Sequence, residues 1–508
     1  MLKALAMTLI ATNLLASQIS MADEKTTLNI SSPWEITSYE PSVSGFAFYR
    51  LGVMETLVDA TVDGALVPGL ATDWQMGEDG LSWRFSLRQG VSFHDGSQLT
   101  ATVAAEALQR ALDKPGMLEN APISAIEADQ NSIVITLERP FAALPALLTH
   151  NTTVIAAQAS IDEDGAHIAA IGTGPFAVDA FTPPQSVDVK RFDNYWGEKA
   201  KLEKVSYLAA GRAETRALLA ESGDADLVFS LDPSGYARLA EIDSVETKAV
   251  PIPRVVALKL NAGHKYVNDP RARRALSLAI DRIGIATAIT RFPEASASQL
   301  FPPALDQWNN DQLEPLSQNI EEAKALLAEL GWEAAEDGIL SRDGDRFSLL
   351  LRTFPDRPEL PLMAAALQDQ WRAIGVELEV SVSSYSEIPA GHKDGSLHVA
   401  LYARKYGLTP DPIGTVLQDF GPGGGDWGAM NWDNAEVAQA LENIASTNDQ
   451  ALRSENIATV VKTLHEELPL IPIVWYQQTV SVAEGLQGYV VDPLERSYRL
   501  NEISWAAE

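Results

Sequence analysis

Between Gly69 and Leu112 the chain spells two strands, a turn and a helix in fixed order, and this order limits the fold more than any other stretch. From Ser82 to Arg88, Trp83, Phe85 and Leu87 alternate with Arg84, Ser86 and Arg88, the period of a strand with one buried and one wet face. Gly90 breaks the run, Val91 and Phe93 resume it, and Asp95-Gly96 supplies residues that tolerate positive φ in a tight turn. Thr100 is the predicted N-cap of a helix whose Val103, Ala104, Ala107, Leu108, Ala111 and Leu112 fall on one stripe. His94 and Asp95 belong to the turn and have no third partner nearby for acid–base work.

At 508 residues the chain is longer than one hydrophobic core usually serves, so two or three domains are expected. Residues 1–22 read as a signal peptide: Lys3 gives a positive start, Ala4 to Ala16 is apolar, and Ser20-Met21-Ala22 offers small residues for cleavage. The mature chain is expected to begin near Asp23. With no cysteine, disulfides, thiolate metal sites and a lipid-modified cysteine are excluded. No later run reaches the ~18 to 20 apolar residues needed to span a bilayer. A net charge of −31 argues against nucleic acid or anionic lipid as partner.

Motifs that would signal catalysis break off. His465-Glu466 starts like a zinc-protease H-E-x-x-H, but the second His position is Pro469. Gly172-Thr173-Gly174-Pro175-Phe176 lacks the Lys-Ser or Lys-Thr of a phosphate loop. None of the seven histidines pairs at a metal-ligand spacing on a helix, and no G-x-S-x-G elbow or dinucleotide fingerprint occurs. A secreted hydrolase therefore has no residue constellation behind it, and neither a cofactor nor a protein-held metal is implied.

The remaining signals are motifs in a recognisable order. Leu70-Ala71, Trp74, Asp79-Gly80, Trp83, Phe85, Leu87-Arg88, Val91, Phe93, Asp95-Gly96, Leu99 and Ala101 follow the pattern LA-x-x-W, DG-x-x-W-x-F-x-L-R, V-x-F-x-DG-x-x-L-x-A. This stretch resembles the signature of the family 5 extracellular solute-binding proteins, the peptide- and nickel-binding receptors of ABC importers. Met54-Glu55-Thr56-Leu57 stands where the family has Y-E-P-L, and GTGPF, Asn194-Tyr195-Trp196-Gly197 and Gly223-Asp224-Ala225-Asp226 follow in the family's order.

The resemblance implies an α/β, two-lobed periplasmic binding protein, type II-like, with the extra subdomain of the peptide-binding family and a hinge between the lobes. The expected first lobe runs over 23–259, with the extra subdomain at about 60–170; the second lobe covers 260–477, and 478–508 return to the first. A crossing near Asn261 is the expected hinge. Pro41–Phe48 reads as a loop of small residues with aromatics embedded. The implied function is capture of a peptide-like small solute and its delivery to an inner-membrane ABC permease, with a nickel or metal-chelate receptor as the alternative. The expected protein is a periplasmic monomer without a lipid anchor.

The same resemblance places the ligand between the lobes, beside Leu401–Trp432. Tyr406 stands where the family has an aromatic that touches ligand. Arg404 reads either as a carboxylate anchor or as a strand-end ion pair. The peptide branch pairs an Asp four residues before the loop proline with the peptide amine; here that position is Leu408, and Asp411 is the substitute considered. The nickel branch has arginines of the first lobe and a His after this loop; Leu148–Ala157 contains no Arg and Gly421–Gly425 no His. Gly424, within the run Gly423–Gly425, allows a tight loop beside the ligand. Trp427 and Trp432 read as an aromatic wall or as core, and Trp34, Phe46 and Tyr49 are the first-lobe candidates.

Overall fold

Two long strands, Val245–Leu260 and Leu470–Ala483, run antiparallel through the middle of a ten-stranded sheet. The computed structural model describes residues 25–506 except 356 and 423, so the predicted leader lies outside the described residues. On one side of the central pair lie Leu227–Phe229, Thr27–Ser32, Lys204–Ala209, Ser186–Arg191 and Phe176–Thr182. On the other lie Val399–Lys405, Ser348–Thr353 and Glu377–Val382. The mix of parallel and antiparallel pairs, with helices packed on the strands, is α/β, and the halves flanking the central pair form two lobes.

Within Val245–Leu260 the last residues are buried on both faces, as a central strand requires. The pairing with Leu470–Ala483 loses register between Pro251 and Val255. Pro251 and Pro253 carry no N–H to continue the ladder, which accounts for the break there. Asn261 lies well past it, fixed inside the second lobe: its Nδ2 donates to the Leu397 carbonyl at 2.9 Å and its Oδ1 accepts from Asn431 Nδ2 at 2.7 Å.

A separate four-stranded antiparallel sheet, Ala71–Met76, Ser82–Leu87, Ser132–Leu137 and Ile123–Asp129, carries the helix Ala101–Leu112. Trp83, Phe85 and Leu87 are buried as the alternation predicts, and Thr100 Oγ1 caps the helix by accepting from Val103 N at 3.3 Å. The core of this sheet is continuous with second-lobe side chains including Trp308, Tyr406 and Ile413. Ala142 N donates to the Ala445 carbonyl at 2.6 Å, so the two bodies are in direct contact. Among the described residues no helix is long and apolar enough to cross a membrane.

One expectation is corrected here. Pro41–Phe48 is not a loop: Pro41–Arg50 is a helix. Its small residues disguised it, but Pro41 sits in the first turn, where its fixed φ suits a helix and its missing N–H costs nothing. Val43 N and Ser44 N both donate to the Glu40 carbonyl.

The scattered family motifs meet at one carboxylate. Glu55 accepts from Thr173 Oγ1 at 2.7 Å, Tyr195 Oη at 2.9 Å and Trp196 Nε1 at 2.9 Å. Removal from water pushes its carboxyl up to about 7 against these three donors. His94 adds a second tie, since its Nδ1 accepts from Gly172 N at 3.2 Å and its Nε2 lies 3.0 Å from the Gly174 carbonyl. The turn histidine is therefore structural.

Candidate ligand-binding site

The helix Pro41–Arg50 ends at the cleft between the lobes and presents Phe46, Tyr49 and Arg50 there. Across from it stand Lys405, at the end of Val399–Lys405, with Gly407 and Leu408; the C-terminal segment supplies Leu494, Glu495 and Arg496. With His150 these residues enclose a chamber of about 60 Å³. Leu494 also lines a second, larger cavity of about 520 Å³, bounded by Asp63, Ala142, Trp308, Asp411 and Arg453. The larger space has the size of a small-molecule pocket.

Glu495 is the centre of the chamber's electrostatics. Its carboxylate accepts from Arg254 Nη2 at 3.0 Å and pairs with Lys405 Nζ at 3.1 Å, and its carbonyl accepts from Arg50 Nε at 2.7 Å. These three cations outweigh burial and hold its carboxyl well below the usual range. Its φ of +55° is one that a side-chain-bearing residue rarely adopts, and the surrounding loop holds it there: Asp492 accepts from Leu494 N, Arg496 N and Ser497 N. Arg496 in turn donates to Asp59 Oδ1 at 2.9 Å and the Ala60 carbonyl at 2.7 Å.

Aromatic rings support the cations. The Arg50 guanidinium lies 4.6 Å from the Trp34 ring centre and 5.4 Å from that of Phe46. Arg254 and Arg357 flank Tyr476 at 5.2 and 5.3 Å, and Arg357 Nη1 donates to its hydroxyl at 3.1 Å. Burial, with Lys405 and Arg496 adding repulsion, pushes His150 down to about 3, so its imidazole is neutral.

Of the residues singled out from sequence, Trp34, Phe46 and Tyr49 come together around Arg50 and Arg496. Asp411 lines the larger cavity, its carboxylate bound by Arg453. Arg404 makes a two-pronged pair with the fully buried Asp419 at 2.7 and 2.6 Å. Tyr406 is also fully buried, its ring 5.0 Å from Phe301. Trp427 lies between Tyr402 and Tyr385, its carbonyl bound by the Tyr402 hydroxyl. Gly424 has φ +56°, and a Cβ there would meet the Ala429 carbonyl oxygen at 2.3 Å; Gly423 lies outside the described residues. Tyr406 thus packs in the core that holds Phe301 and Trp308, whereas Trp427 packs, partly buried, on the separate second-lobe core that holds Tyr402.

Sequence reading passed over Arg50, His150, Arg254, Lys405 and Glu495. The one signal available was a set of cations beside apolar runs in an acidic chain: Arg50 closes FAFYR, and Arg254 opens RVVALKL. Their meeting with Glu495 spans 445 and 241 residues of sequence, beyond the reach of local pattern.

Residues 65–427 match the family described as bacterial extracellular solute-binding proteins, family 5 Middle. The nickel-binding periplasmic protein of Escherichia coli (strain K12) is 27% identical over 449 residues, 85% of each chain. The dipeptide-binding protein of the same organism is 25% identical over 469 residues, again 85% of each. Among solved structures, NikA from Brucella suis in complex with Fe(III)-EDTA superposes with a TM-score of 0.85 at 22% identity, covering 94% of this chain and 99% of that one. The matched region takes in the signature hairpin, the second-lobe strands and the loop to Trp427, and with it the two-lobed fold: the chain belongs to family 5 of the bacterial extracellular solute-binding proteins.

Proposed function

We propose that this chain is the periplasmic receptor of an ABC importer, a monomer that encloses a small peptide-like solute between its lobes and hands it to the inner-membrane permease. The observation that carries the reading is the shared wall of the cleft: the first-lobe helix Pro41–Arg50, the second-lobe Lys405 and the returning segment at Glu495 all face one space. A ligand touching both sides favours the closed arrangement by its differential contact with it. The function is binding, and the family supports a carrier in place of a catalyst.

The Pro251–Val255 register break is the bending point in this scheme, since backbone hydrogen bonds between the crossing strands lapse there. A metal chelate is the second reading. One observation favours it: no acidic residue stands at Leu408, and Asp411 is already engaged by Arg453, so a peptide amine finds no free carboxylate of the usual kind. Small-angle scattering tests the receptor reading. Protein stripped of solute by unfolding and refolding is expected to show a larger radius of gyration than protein holding its co-purified solute; identical curves would sink the closure step. Elemental analysis and native mass spectrometry of the co-purified species separate peptide from chelate.

A further inference from the structure

We infer that a groove on the far side of the crossing strands is the mechanical counterpart of the ligand cleft: it narrows as the cleft opens, and its apolar walls set how readily the empty protein closes. This rests on the receptor reading and adds residues that tune affinity without touching the solute.

The groove, of about 1330 Å³, lies between the lobes. The first-lobe helix Pro233–Leu239 gives one wall, with Tyr236 and Ala237, and Ala288, Ile289, Phe292 and Leu362 of the second lobe give the other. Its position follows from the crossing strands themselves. Val255 and Ala257 join the core that holds Trp308, a wall of the larger cleft cavity, whereas Val256 and Leu258 join the core on which Ile289 and Phe292 pack. Trp475 and Val474 divide in the same way on the neighbouring strand. Successive residues of a strand point to opposite faces, so cleft and groove lie on opposite faces of the strands that bend.

Two bodies joined at a bend exchange one gap for the other. Here the front is shut: Ala142 N donates to the Ala445 carbonyl at 2.6 Å, and one core runs through both sides. The rear is correspondingly wide, its walls touching where Tyr236 meets Phe292 edge-on at 5.4 Å. Apolar groups stand in water on both walls: Leu362 is 59% exposed, and Ala237 and Ala288 are exposed. Opening the front swings these walls together and takes their apolar surface out of water, a gain that opposes closure. A solute has to offset that gain, so the affinity observed depends on the fraction of empty molecules already closed.

The test is double electron–electron resonance on the full chain, whose lack of cysteine leaves introduced thiols as the sole labelling sites. A front pair, Glu138→Cys with Gln439→Cys, and a rear pair, Asp243→Cys with Thr287→Cys, use exposed positions on either side of each gap. Relative to protein holding its co-purified solute, stripped and refolded protein should show a longer front distance and a shorter rear one. Ala237→Trp and Ala288→Trp each put a ring into the groove from opposite walls and prop it apart. In either stripped variant the ratio of closed to open molecules should rise about tenfold, the front pair shortening as the rear lengthens. Ala325→Trp, on the exposed side of the helix Ile320–Glu329, should change neither distance. A folding defect would broaden both distributions and would not shorten one while lengthening the other. Unchanged distances in both wedge variants overturn the inference, as do front and rear pairs that move in the same direction. If solute shortens the front pair while the rear pair stays fixed, the receptor reading stands and the coupling falls. If the wedges move both pairs and solute moves neither, the coupling stands and solute-driven closure falls; if nothing moves, both fall.

Discussion

Replacing Glu55 with Ala removes the acceptor on which three separate stretches of the first lobe converge. Thr173 Oγ1, Tyr195 Oη and Trp196 Nε1 would each lose their partner. An orphaned buried donor costs ~1–3 kcal/mol. Thr173 is fully buried and the indole N–H cannot swing away, so those two bear most of the loss, whereas the Tyr195 hydroxyl can turn toward water. The expected destabilisation is about 4 kcal/mol, and at the ~1 °C per kcal/mol set by the unfolding entropy of a chain this long the melting temperature should fall by about 4 °C. Glu55→Gln keeps one acceptor oxygen and should cost about half as much. Urea unfolding followed by circular dichroism, with calorimetry beside it, gives both numbers. The pH dependence supplies a second check. Glu55 binds its proton more tightly folded, at about 7, than at its ordinary 4.5. Its stabilising contribution is therefore complete below pH 4.5 and is lost as pH rises through 7. Glu55→Ala should lack that loss. A cost below 1 kcal/mol would refute the view that this carboxylate ties the motifs together.

Two further outcomes are expected. Lys259, fully buried, donates to the Asp426 carbonyl at 2.8 Å, and burial pushes it down to about 7 from 10.5. The unfolded chain then binds the extra proton between those values, so stability should rise with pH across that window by at most about 1.4 kcal/mol per unit. Urea titrations of Lys259→Met at pH 7, 8 and 9 should show that slope removed. Gly172→Ala would put a Cβ 2.0 Å from the Val53 carbonyl oxygen and should destabilise by about 3 kcal/mol, whereas Gly211→Ala, with open space around it, should stay within about 0.5 kcal/mol. Equal effects at the two glycines in thermal melts would contradict the packing argument.

The parts of the fold that sequence exposes are those written in local chemistry. The Trp83-Phe85-Leu87 alternation, the Thr100 cap, and the Asn319 side chain accepting from Glu322 N are set by residues within a few positions of one another. The helix Pro41–Arg50 escaped because its glycine, serines and alanine mimic a loop, and because its stability comes from burial of Phe48 and Tyr49 against distant strands. In the site, Trp34, Phe46 and Tyr49 were visible as aromatics in the right lobe. Arg404 was legible as a charged residue ending a strand, but its partner Asp419 lies fifteen residues on, across a strand-to-helix turn, and only the fold brings them together. The Arg50–Glu495–Lys405 arrangement is invisible to pattern because each member looks alone like a surface charge.

The paired crossing strands have a consequence for the order in which the molecule can be built. Leu227–Phe229 is hydrogen-bonded to residues 480–482, and Trp505 Nε1 donates to the Thr27 carbonyl across 478 positions. A chain emerging from the ribosome amino end first therefore holds an unfinished first lobe until the residues near 480 and 505 have been made. The second lobe enters and leaves through neighbouring strands, so its stretch can condense while the earlier one waits. The final thirty or so residues act as the late stitch that closes the older half, and a stop a few dozen codons early would leave a formed second lobe joined to a first that cannot complete its sheet.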